Sequence, residues 1–518
     1  MSSSPLNTPS PLPSGNSSKI FSPIILPCGR TAPNRLVKVA LYEHLADLFG
    51  GPPNLNHFSL YARWAQHGWG MIITGNVQVS PTHLSLGRDL VLPRSVSDGA
   101  LQPFRKLAQE MHRYEGSSSE GLPLAIMQLS HGGRQSPNFL GGRPLCDAPL
   151  APSAIALGTG SDVLSSLVEG ALFQRPQAMS LSDIDDVVTS FVRGARLAAL
   201  AGFDGIQLHA AHGYLLAQFI SPKTNHRTDE YSCTSLNGLK LVHRIVVSIR
   251  EIVPPDFIVG IKLNASDYVD GAAKSSKLPE SPQSTPGEKE DQEARALSHI
   301  RTLASWHSID FIEVSGGDYE NPEFMSQSAL SKSPRQAFFA HFSSRALEIL
   351  EEDASSDRPK PLILLTGGLR TPSHLQSALA SHHADLLGIG RGSITSPDLP
   401  DVLRQWEQAQ GDNVDNTFTP FAPEVDLFQS YPAFVNWVLS FASAIKLVGA
   451  GSGMAWHVVM LRHIAETPLD SAVRMDYNLA AVGSIIHMWV KTEWMSPRKA
   501  GIYLLLAAIC GAIWMKQM

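Results

Sequence analysis

The sequence predicts an α/β protein, a (β/α)8 TIM barrel with a mostly helical C-terminal extension. Two observations support this prediction. Between about residues 34 and 410, eight short apolar runs alternate with longer stretches of helical periodicity. Several of these runs are apolar without interruption, as in parallel strands that are buried on both faces. Eight strands that alternate with helices are what a (β/α)8 barrel requires.

The eight apolar runs are the candidate barrel strands. In chain order they are Leu36–Leu41, Met71–Gly75, Leu124–Leu129, Gly205–His209, Ile258–Leu263, Phe311–Val314, Leu362–Thr366 and Leu386–Ile389. An open, doubly wound sheet is the alternative, and it would carry a glycine-rich fingerprint after its first strand. No G-x-G-x-x-G pattern follows Leu41, so the barrel is favoured.

One helix is especially clear in the sequence. Between Ser182 and Ala201, apolar residues recur at spacings of three and four, which is the period of an amphipathic helix. Ser182 and Asp185 can form a capping box at its start, and Gly202 can end it. The helix therefore leads directly into the fourth candidate strand.

Composition changes outside the barrel. Residues 1–18 are rich in Ser, Pro and Asn and are predicted to be a disordered tail; they lack the apolar core of a secretory signal. The barrel then spans residues 19–410 and contains a predicted disordered inserted loop at about 273–293. Residues 411–431 are predicted to be a linker, and residues 432–518 a helical extension.

The extension holds two features of its own. Glycines at 449–453 predict a break in its first helix, and residues 500–515 carry no charge. Sixteen uncharged residues fall just short of the roughly 17–25 that span a bilayer. This segment is either a short membrane anchor or a helix packed on the barrel or on a dimer partner. The expected location is cytoplasmic, or cytosol-facing on an intracellular membrane through this segment.

Charge and cysteine content exclude several classes of protein. The 41 Lys and Arg residues against 47 Asp and Glu give a net charge of −6, and no basic block stands out, so nucleic acid is not an expected partner. The cysteines are far apart and form no C-x-x-C pair: Cys28, Cys146, Cys233 and Cys510. This usage is typical of reduced thiols in an intracellular protein.

Titratable side chains follow the fourth strand, and function in barrels gathers at the carboxyl ends of strands. His209, His212 and Tyr214 lie there within six residues. The two histidines lack an H-E-x-x-H pattern and an obvious third ligand, so no metal site is predicted. Two imidazoles beside a phenol suit hydrogen bonding to a carbonyl or oxyanion, together with proton donation.

Glycines follow the seventh and eighth strands. Gly367 and Gly368 come after one strand, and Gly390 with Arg391 after the other. Exposed backbone N–H groups and a guanidinium at these two places are typical of a phosphate site in a barrel. The alternative is that the glycines only make tight turns.

The segment Gly202–Tyr231 reads GFDGIQLHAAHGYLLAQFISPKTNHRTDEY. It resembles the signature of the Old Yellow Enzyme family, the FMN-dependent NAD(P)H:flavin oxidoreductases and ene-reductases, with almost no exceptions. The resemblance extends over about residues 20–410 and includes Asn34 and Arg35 before the first strand, and Gln128 with the His-Gly-Gly-Arg that follows it.

This resemblance implies an FMN barrel that is reduced by NADPH or NADH and passes hydride to the activated C=C bond of a small α,β-unsaturated carbonyl substrate. His209 and His212 would bind the carbonyl oxygen of the substrate, and Tyr214 would protonate its α-carbon. The residues that would contact FMN are Gln128 and Lys262 at the ring, Gly367, Gly368, Gly390 and Arg391 at the phosphate, and Ala40 and Tyr42 after the first strand.

Two departures from the family pattern leave alternatives open. Ala40-Leu41-Tyr42 stands where the family usually has Pro-Met-Thr or Pro-Met-Cys, and Tyr42 is bulkier than either last residue. The usual Tyr-Gly-Gly-Ser turn after the signature reads Tyr231-Ser232-Cys233-Thr234. The alternative functions are a redox or isomerising enzyme that acts on a biosynthetic intermediate, and a catalytically silent flavin-binding protein.

Overall fold

The computed structural model describes residues 19–114, 121–144, 147–158, 172–233, 238–265, 286–316, 334–352, 359–409, 446–479 and 481–490. All eight candidate strands are present. They are β1 (Leu36–Lys38), β2 (Met71–Ile73), β3 (Leu124–Ser130), β4 (Gly205–Ala210), β5 (Ile258–Asn264), β6 (Phe311–Ser315), β7 (Leu362–Thr366) and β8 (Leu386–Ile389).

The strands form a closed parallel barrel. Each strand pairs with the next one along the chain, and β8 returns to pair with β1, where Leu387 lies opposite Leu36. The predicted (β/α)8 barrel is confirmed.

The barrel interior changes from apolar to polar along the strands. Its inner apolar cluster includes Val37, Met71 and Ile126. Side chains alternate between the two faces of a strand, so Gln128 shares the inner face with Ile126. In the parallel register, Gln207 lies opposite Gln128. An apolar floor therefore supports a polar layer at the carboxyl ends of the strands.

Helices cover the outside of the barrel, where the alternate apolar residues of the strands form the main core. They are α1 (Leu55–Ala65), α2 (Asp98–Met111), α3 (Leu181–Ala201), α4 (Leu215–Ile220), α5 (Lys240–Arg250), α6 (Pro286–Ser305), α7 (Pro334–Glu352), α8 (Pro372–Ala380), α9 (Gly392–Thr395), α10 (Leu399–Ala409), α11 (Lys446–Glu466) and α12 (Ala481–Val490).

Short elements lie between these. Ile24–Ile25 pairs antiparallel with Thr31–Ala32. Val77–Gln78 pairs parallel with Leu90–Val91, and Leu150–Ala151 pairs parallel with Gln177–Ala178. Two single 3₁₀ turns are Lys19–Phe21 and Gly133–Gln135.

The start of α3 differs from the prediction. Ser180, not Ser182, is the N-cap, and it forms the capping box with Asp183. In a capping box, a hydroxyl and a carboxylate three residues later bond free backbone N–H groups at the helix start. Ser180 with Asp183 and Ser182 with Asp185 both have these side chains at this spacing, so the sequence alone does not distinguish them. Gly202 ends the helix in the left-handed conformation, with φ of +87°, as predicted.

The C-terminal region that the structure describes is helical and packs on the barrel. Helix α11 lies along α1 and against α12. It continues through Gly449 and Gly453, so the predicted glycine break was wrong. Packing of one helix face explains this, because tertiary contacts offset the roughly 1 kcal/mol that a glycine costs inside a helix.

Several predicted segments lie wholly or partly outside the described residues: the tail 1–18, the linker 411–431, the apolar run 500–515 and most of the inserted loop. Helix α6 begins at Pro286, inside the predicted loop. Among the helices that the structure describes, none has the length and apolar character needed to cross a membrane.

Candidate active site

The turn after β4 brings two imidazoles and a phenol together. His212 and Gly213 adopt positive φ angles of 57° and 71°, which turn the chain back toward the barrel before α4 begins. The ring centroid of His209 lies 5.1 Å from that of His212 and 4.6 Å from that of Tyr214. The three residues predicted as catalytic are therefore in contact.

The two imidazoles form part of one hydrogen-bonded chain. Nδ1 of His209 lies 2.8 Å from Oδ1 of Asn76, and Nε2 of His209 lies 2.9 Å from Nδ1 of His212. Nε2 of His212 lies 3.2 Å from the hydroxyl of Ser315. Which nitrogen of each ring carries the proton sets the direction of the hydrogen bonds along this chain.

Both imidazoles are held in the neutral form. Burial, the facing ring of His212 and the charge of Lys262 hold the pKa of His209 well below its usual value. Burial and Lys262 do the same to the pKa of His212. A neutral imidazole offers one N–H donor without adding a positive charge, which suits hydrogen bonding to a neutral carbonyl oxygen.

Asn76 joins the histidines to the tyrosine. Its Oδ1 faces His209, and its Nδ2 donates to the hydroxyl of Tyr214 over 3.5 Å. Tyr214 is only 5% exposed. One amide therefore orients both the ring that would bind a carbonyl and the hydroxyl that would donate a proton.

The chain around Asn76 is held from behind by a buried carboxylate. The N–H of Gly75 donates to Glu43 over 3.1 Å, and the hydroxyl of Tyr61 also donates to Glu43. Burial raises the pKa of Glu43, while the charge of Lys38 opposes that shift. This cluster fixes the backbone immediately before Asn76.

A second hydrogen-bonded network crosses the barrel interior. The ammonium of Lys262 lies 2.8 Å from Glu313, and the hydroxyl of Thr366 donates to the same carboxylate over 2.8 Å. The amide of Gln207 donates to Glu313, and that of Gln128 donates to Gln207, each over 2.7 Å. The predicted ring-binding residues Gln128 and Lys262 thus belong to one buried network.

This donor set fits the polar edge of a flavin ring. An amide and an ammonium face the same interior, where Lys262 is 3% exposed. Such groups hydrogen-bond to ring oxygens and nitrogens and favour negative charge on the reduced ring. This fit supports Gln128 and Lys262 as contacts of the flavin ring, and that role stays a prediction.

The predicted phosphate loops are brought side by side. Strands β7 and β8 pair, with Thr366 opposite Gly388. Gly367 and Gly368 follow β7 with φ of +111° and +74°, conformations that glycine adopts readily. Gly390 and Arg391 follow β8 and precede α9. Their contact with phosphate stays a prediction.

Ala40 and Tyr42, the two FMN contacts predicted after the first strand, pack against different parts of the structure. Ala40 packs on the inner apolar cluster of the barrel. The hydroxyl of Tyr42 lies 2.9 Å from Nδ1 of His44, and Tyr42 packs against the apolar cluster that Ala455, Val458 and Met488 form in the C-terminal helices. The predicted role of Tyr42 toward the flavin stays a prediction, but its neighbours in the extension were not foreseen.

Sequence reasoning missed several residues of the site. They are Asn76, Gln207, Glu313 and Ser315. A polar residue at an inner position of an otherwise apolar strand was a usable signal for Gln207 and Glu313. Asn76 follows a predicted strand directly, and that position alone marks a candidate. Among the described residues, no three His, Cys, Asp or Glu side chains converge as a metal site.

The parallel barrel has a polar interior that suits the edge of a flavin, and neutral imidazoles lie at the carboxyl ends of its strands. This is the architecture of a barrel flavoenzyme. The model of the NADH:flavin oxidoreductase / NADH oxidase family matches residues 19–409. The chain belongs to this family, which includes the Old Yellow Enzymes. FMN is accordingly its cofactor, with NADH or NADPH as reductant.

Curated relatives are similar over the barrel. An NADH-dependent flavin oxidoreductase of Neonectria sp. (strain DH2) is 36% identical over 382 residues, which are 73% of this chain and 46% of the relative. Another from Talaromyces variabilis is 34% identical over 393 residues, 73% of this chain and 85% of the relative. The chain therefore spans about half the length of the first relative and most of the second.

Solved structures show the same fold. Morphinone reductase superposes with a TM-score of 0.54 at 20% identity, covering 76% of this chain and 91% of its own. A 2-naphthoyl-CoA reductase complex has a TM-score of 0.58 at 20% identity, covering 75% of this chain and 52% of its own. At this identity the likeness concerns the barrel fold alone.

Proposed function

We propose that the protein is an ene-reductase, which uses NADH or NADPH to reduce FMN and then reduces the activated C=C bond of a small α,β-unsaturated carbonyl compound. The observation that carries the proposal is the contact between two neutral imidazoles, His209 and His212, and the hydroxyl-bearing ring of Tyr214. They lie at the same end of the barrel as Lys262 and Gln128.

The imidazoles supply the binding site for the carbonyl oxygen. Hydrogen bonds from His209 and His212 draw electron density toward that oxygen and make the β-carbon more electrophilic. Because both rings are neutral, they stabilise the negative charge that develops on the oxygen without protonating the ground state. Asn76 and Ser315 hold the two rings in place.

Tyr214 supplies the proton. A phenol is a suitable general acid when its hydroxyl is held near the atom that it protonates. The amide of Asn76 donates to this hydroxyl, and the ring of Tyr214 packs edge-on against that of His209. Hydride on the β-carbon and a proton from Tyr214 on the α-carbon complete the reduction.

FMN, when bound, would supply the hydride-transfer chemistry between the nicotinamide and the substrate. Gln128 and Lys262 would hold its ring, with Glu313 and Gln207 fixing their orientation. Gly367, Gly368, Gly390 and Arg391 would hold its phosphate by backbone N–H groups and a guanidinium.

The test is an anaerobic titration of the purified protein. We expect a visible flavin spectrum, bleaching by NADH or NADPH, and recovery of the absorbance when 2-cyclohexenone is added. Bleaching without recovery by any of several cyclic and linear enones would overturn the ene-reductase proposal and favour redox chemistry on another substrate. Failure of both nicotinamides to bleach bound FMN would favour a silent flavin protein.

A further inference from the structure

The C-terminal helices are a fixed part of the barrel surface. Trp456, Leu461 and Ile464 of α11 are fully buried in the main core. The guanidinium of Arg63 in α1 donates to the carbonyl of Leu469 over 2.8 Å, just after α11. The family model ends at residue 409, so this attachment is built by residues beyond the family's shared barrel.

Helix α11 reaches the loop that follows β8. It packs against α9, which begins directly after Arg391. Nδ1 of His457 lies 2.7 Å from the carbonyl of Gly453, one turn earlier in α11. A carbonyl can only accept, so Nδ1 carries the proton and Nε2 is an acceptor.

The charge of Arg391 acts on His457. Burial, followed by the positive charge of Arg391, lowers the pKa of His457 to about 4. Together with the packing of α11 on α9, this charge effect indicates that His457 lies near the loop that follows β8.

The same helix pair meets the loop that follows β1. Ala455, Val458 and Met488 form an apolar cluster against which Tyr42 packs. The ring of His44 lies edge-on to Trp489 of α12, with 4.6 Å between the centroids. Two helices of the extension thus enclose the side chains of this loop.

His44 shows that the loop is held in an unfavourable conformation. Its φ is +56°, a region that costs a non-glycine residue roughly 1 kcal/mol or more. It is 1% exposed, and its Nε2 has no hydrogen-bond partner in the described part of the chain. Surrounding contacts must maintain such a residue, and Tyr42 and Trp489 supply them.

We propose that α11 and α12 form a clamp, built into the chain, that holds the β1 and β8 loops in the conformation that binds FMN. Strands β8 and β1 are neighbours in the barrel, so one helix pair reaches both loops. Helix α11 packs on α9 directly after Arg391, and Trp489 of α12 supports the loop of Tyr42 and His44. The proposal rests on the proposed function, in which Gly390 and Arg391 hold the FMN phosphate, and on the predicted contact of Ala40 and Tyr42 with FMN.

The test measures FMN affinity in the full-length apoprotein by quenching of flavin fluorescence. We expect His457→Leu to raise the dissociation constant of FMN about tenfold, because α11 loses the buried polar ring that donates to Gly453 beside Arg391. His457→Gln, whose amide N–H can still donate to the carbonyl of Gly453, should restore affinity to within about threefold. His463→Leu removes an exposed histidine of the same helix and should leave the constant unchanged.

Variants of Trp489 provide an independent test of the same proposal. Trp489→Ala should weaken FMN binding to a similar extent, and Trp489→Phe, which keeps an aromatic edge beside His44, should weaken it less. The melting temperature of each apoprotein reports folding. Wild-type FMN affinity in folded His457→Leu and Trp489→Ala proteins would overturn the clamp.

The conservative variants decide the outcome if the other two do not fold. His457→Asn and Trp489→Leu, which change the side chain less than His457→Leu and Trp489→Ala, then replace those two variants. His457→Gln must bind FMN more tightly than His457→Asn, and Trp489→Phe more tightly than Trp489→Leu. Equal affinities overturn the proposal. Neither nicotinamide nor enone is present in this measurement. A failed enone reaction therefore leaves the clamp standing, and a failed clamp leaves the ene-reductase standing.

Discussion

Nε2 of His209 lies 2.9 Å from Nδ1 of His212, and the two neutral rings occupy the carboxyl end of β4. The contact makes the two imidazoles one unit, because the proton position on one ring dictates which nitrogen of the other can donate. Asn76 and Ser315 terminate the unit at either end. The chemistry that we propose depends on this arrangement.

His212 should be needed mainly for the reaction with the enone. Loss of one donor to a developing oxyanion typically costs about 10²–10³ in rate. We expect His212→Ala to lower kcat/KM for the enone by about that factor. His212→Asn keeps an N–H donor and should retain more activity. Equal kcat/KM values for the two variants would contradict a hydrogen-bonding role.

Tyr214→Phe should slow the enone step and spare flavin reduction. General acid catalysis typically contributes about 10²–10⁴ in rate. In stopped-flow measurements we expect reoxidation by the enone to fall by about 10² or more, with bleaching by the nicotinamide within about threefold of wild type. Tyr477→Phe, in the loop that packs on Trp456, is the control. Unchanged reoxidation would remove Tyr214 from its role.

Asn76→Asp should make the activity depend on pH in a new range. A carboxylate beside His209 favours the imidazolium and raises its pKa. The enone rate of the variant should therefore fall as the pH decreases through that raised pKa, whereas the wild-type rate stays flat there. Asn76→Ala, which adds no charge, is the matched control and should lower the rate without this pH dependence.

The Lys262 and Glu313 pair should be necessary for folding as well as for flavin chemistry. Removing one partner of a buried pair costs about 3–5 kcal/mol, because the other charge remains buried. We expect Lys262→Met to lower the melting temperature sharply. The double variant Lys262→Met/Glu313→Gln should regain most of that stability but not the rate of flavin reduction. If it regains both, the ammonium is structural only.

Acid should destabilise the fold through its buried histidines. Burial lowers the pKa of His131 to about 3 from 6.5. Between these values the unfolded state binds a proton that the folded state does not, so stability is lost as the pH falls. From pH 6 to pH 5, the unfolding free energy of His131→Gln should fall about 1 kcal/mol less than that of wild type. Denaturant titrations check this, with His463→Gln as an exposed control.

Local patterns in the sequence determined the barrel and the position of its reactive residues. Buried parallel strands are short apolar runs, and a glycine that ends a helix is recognisable by itself, so all eight strands and Gly202 were predicted. His209, His212 and Tyr214 lie within six residues of one another, and their proximity needs only the turn that His212 and Gly213 make.

Contacts between distant parts of the chain were decided only by the tertiary structure. Asn76 meets His209 across 133 residues, and Glu313 meets Lys262 from the next strand, because closure of the barrel brings those strand ends together. Tyr42 was read against a family pattern, but its neighbours come from α11 and α12. The local periodicity of α11 and α12 does not indicate which surface of the barrel they cover, because that depends on shape and burial over the whole fold.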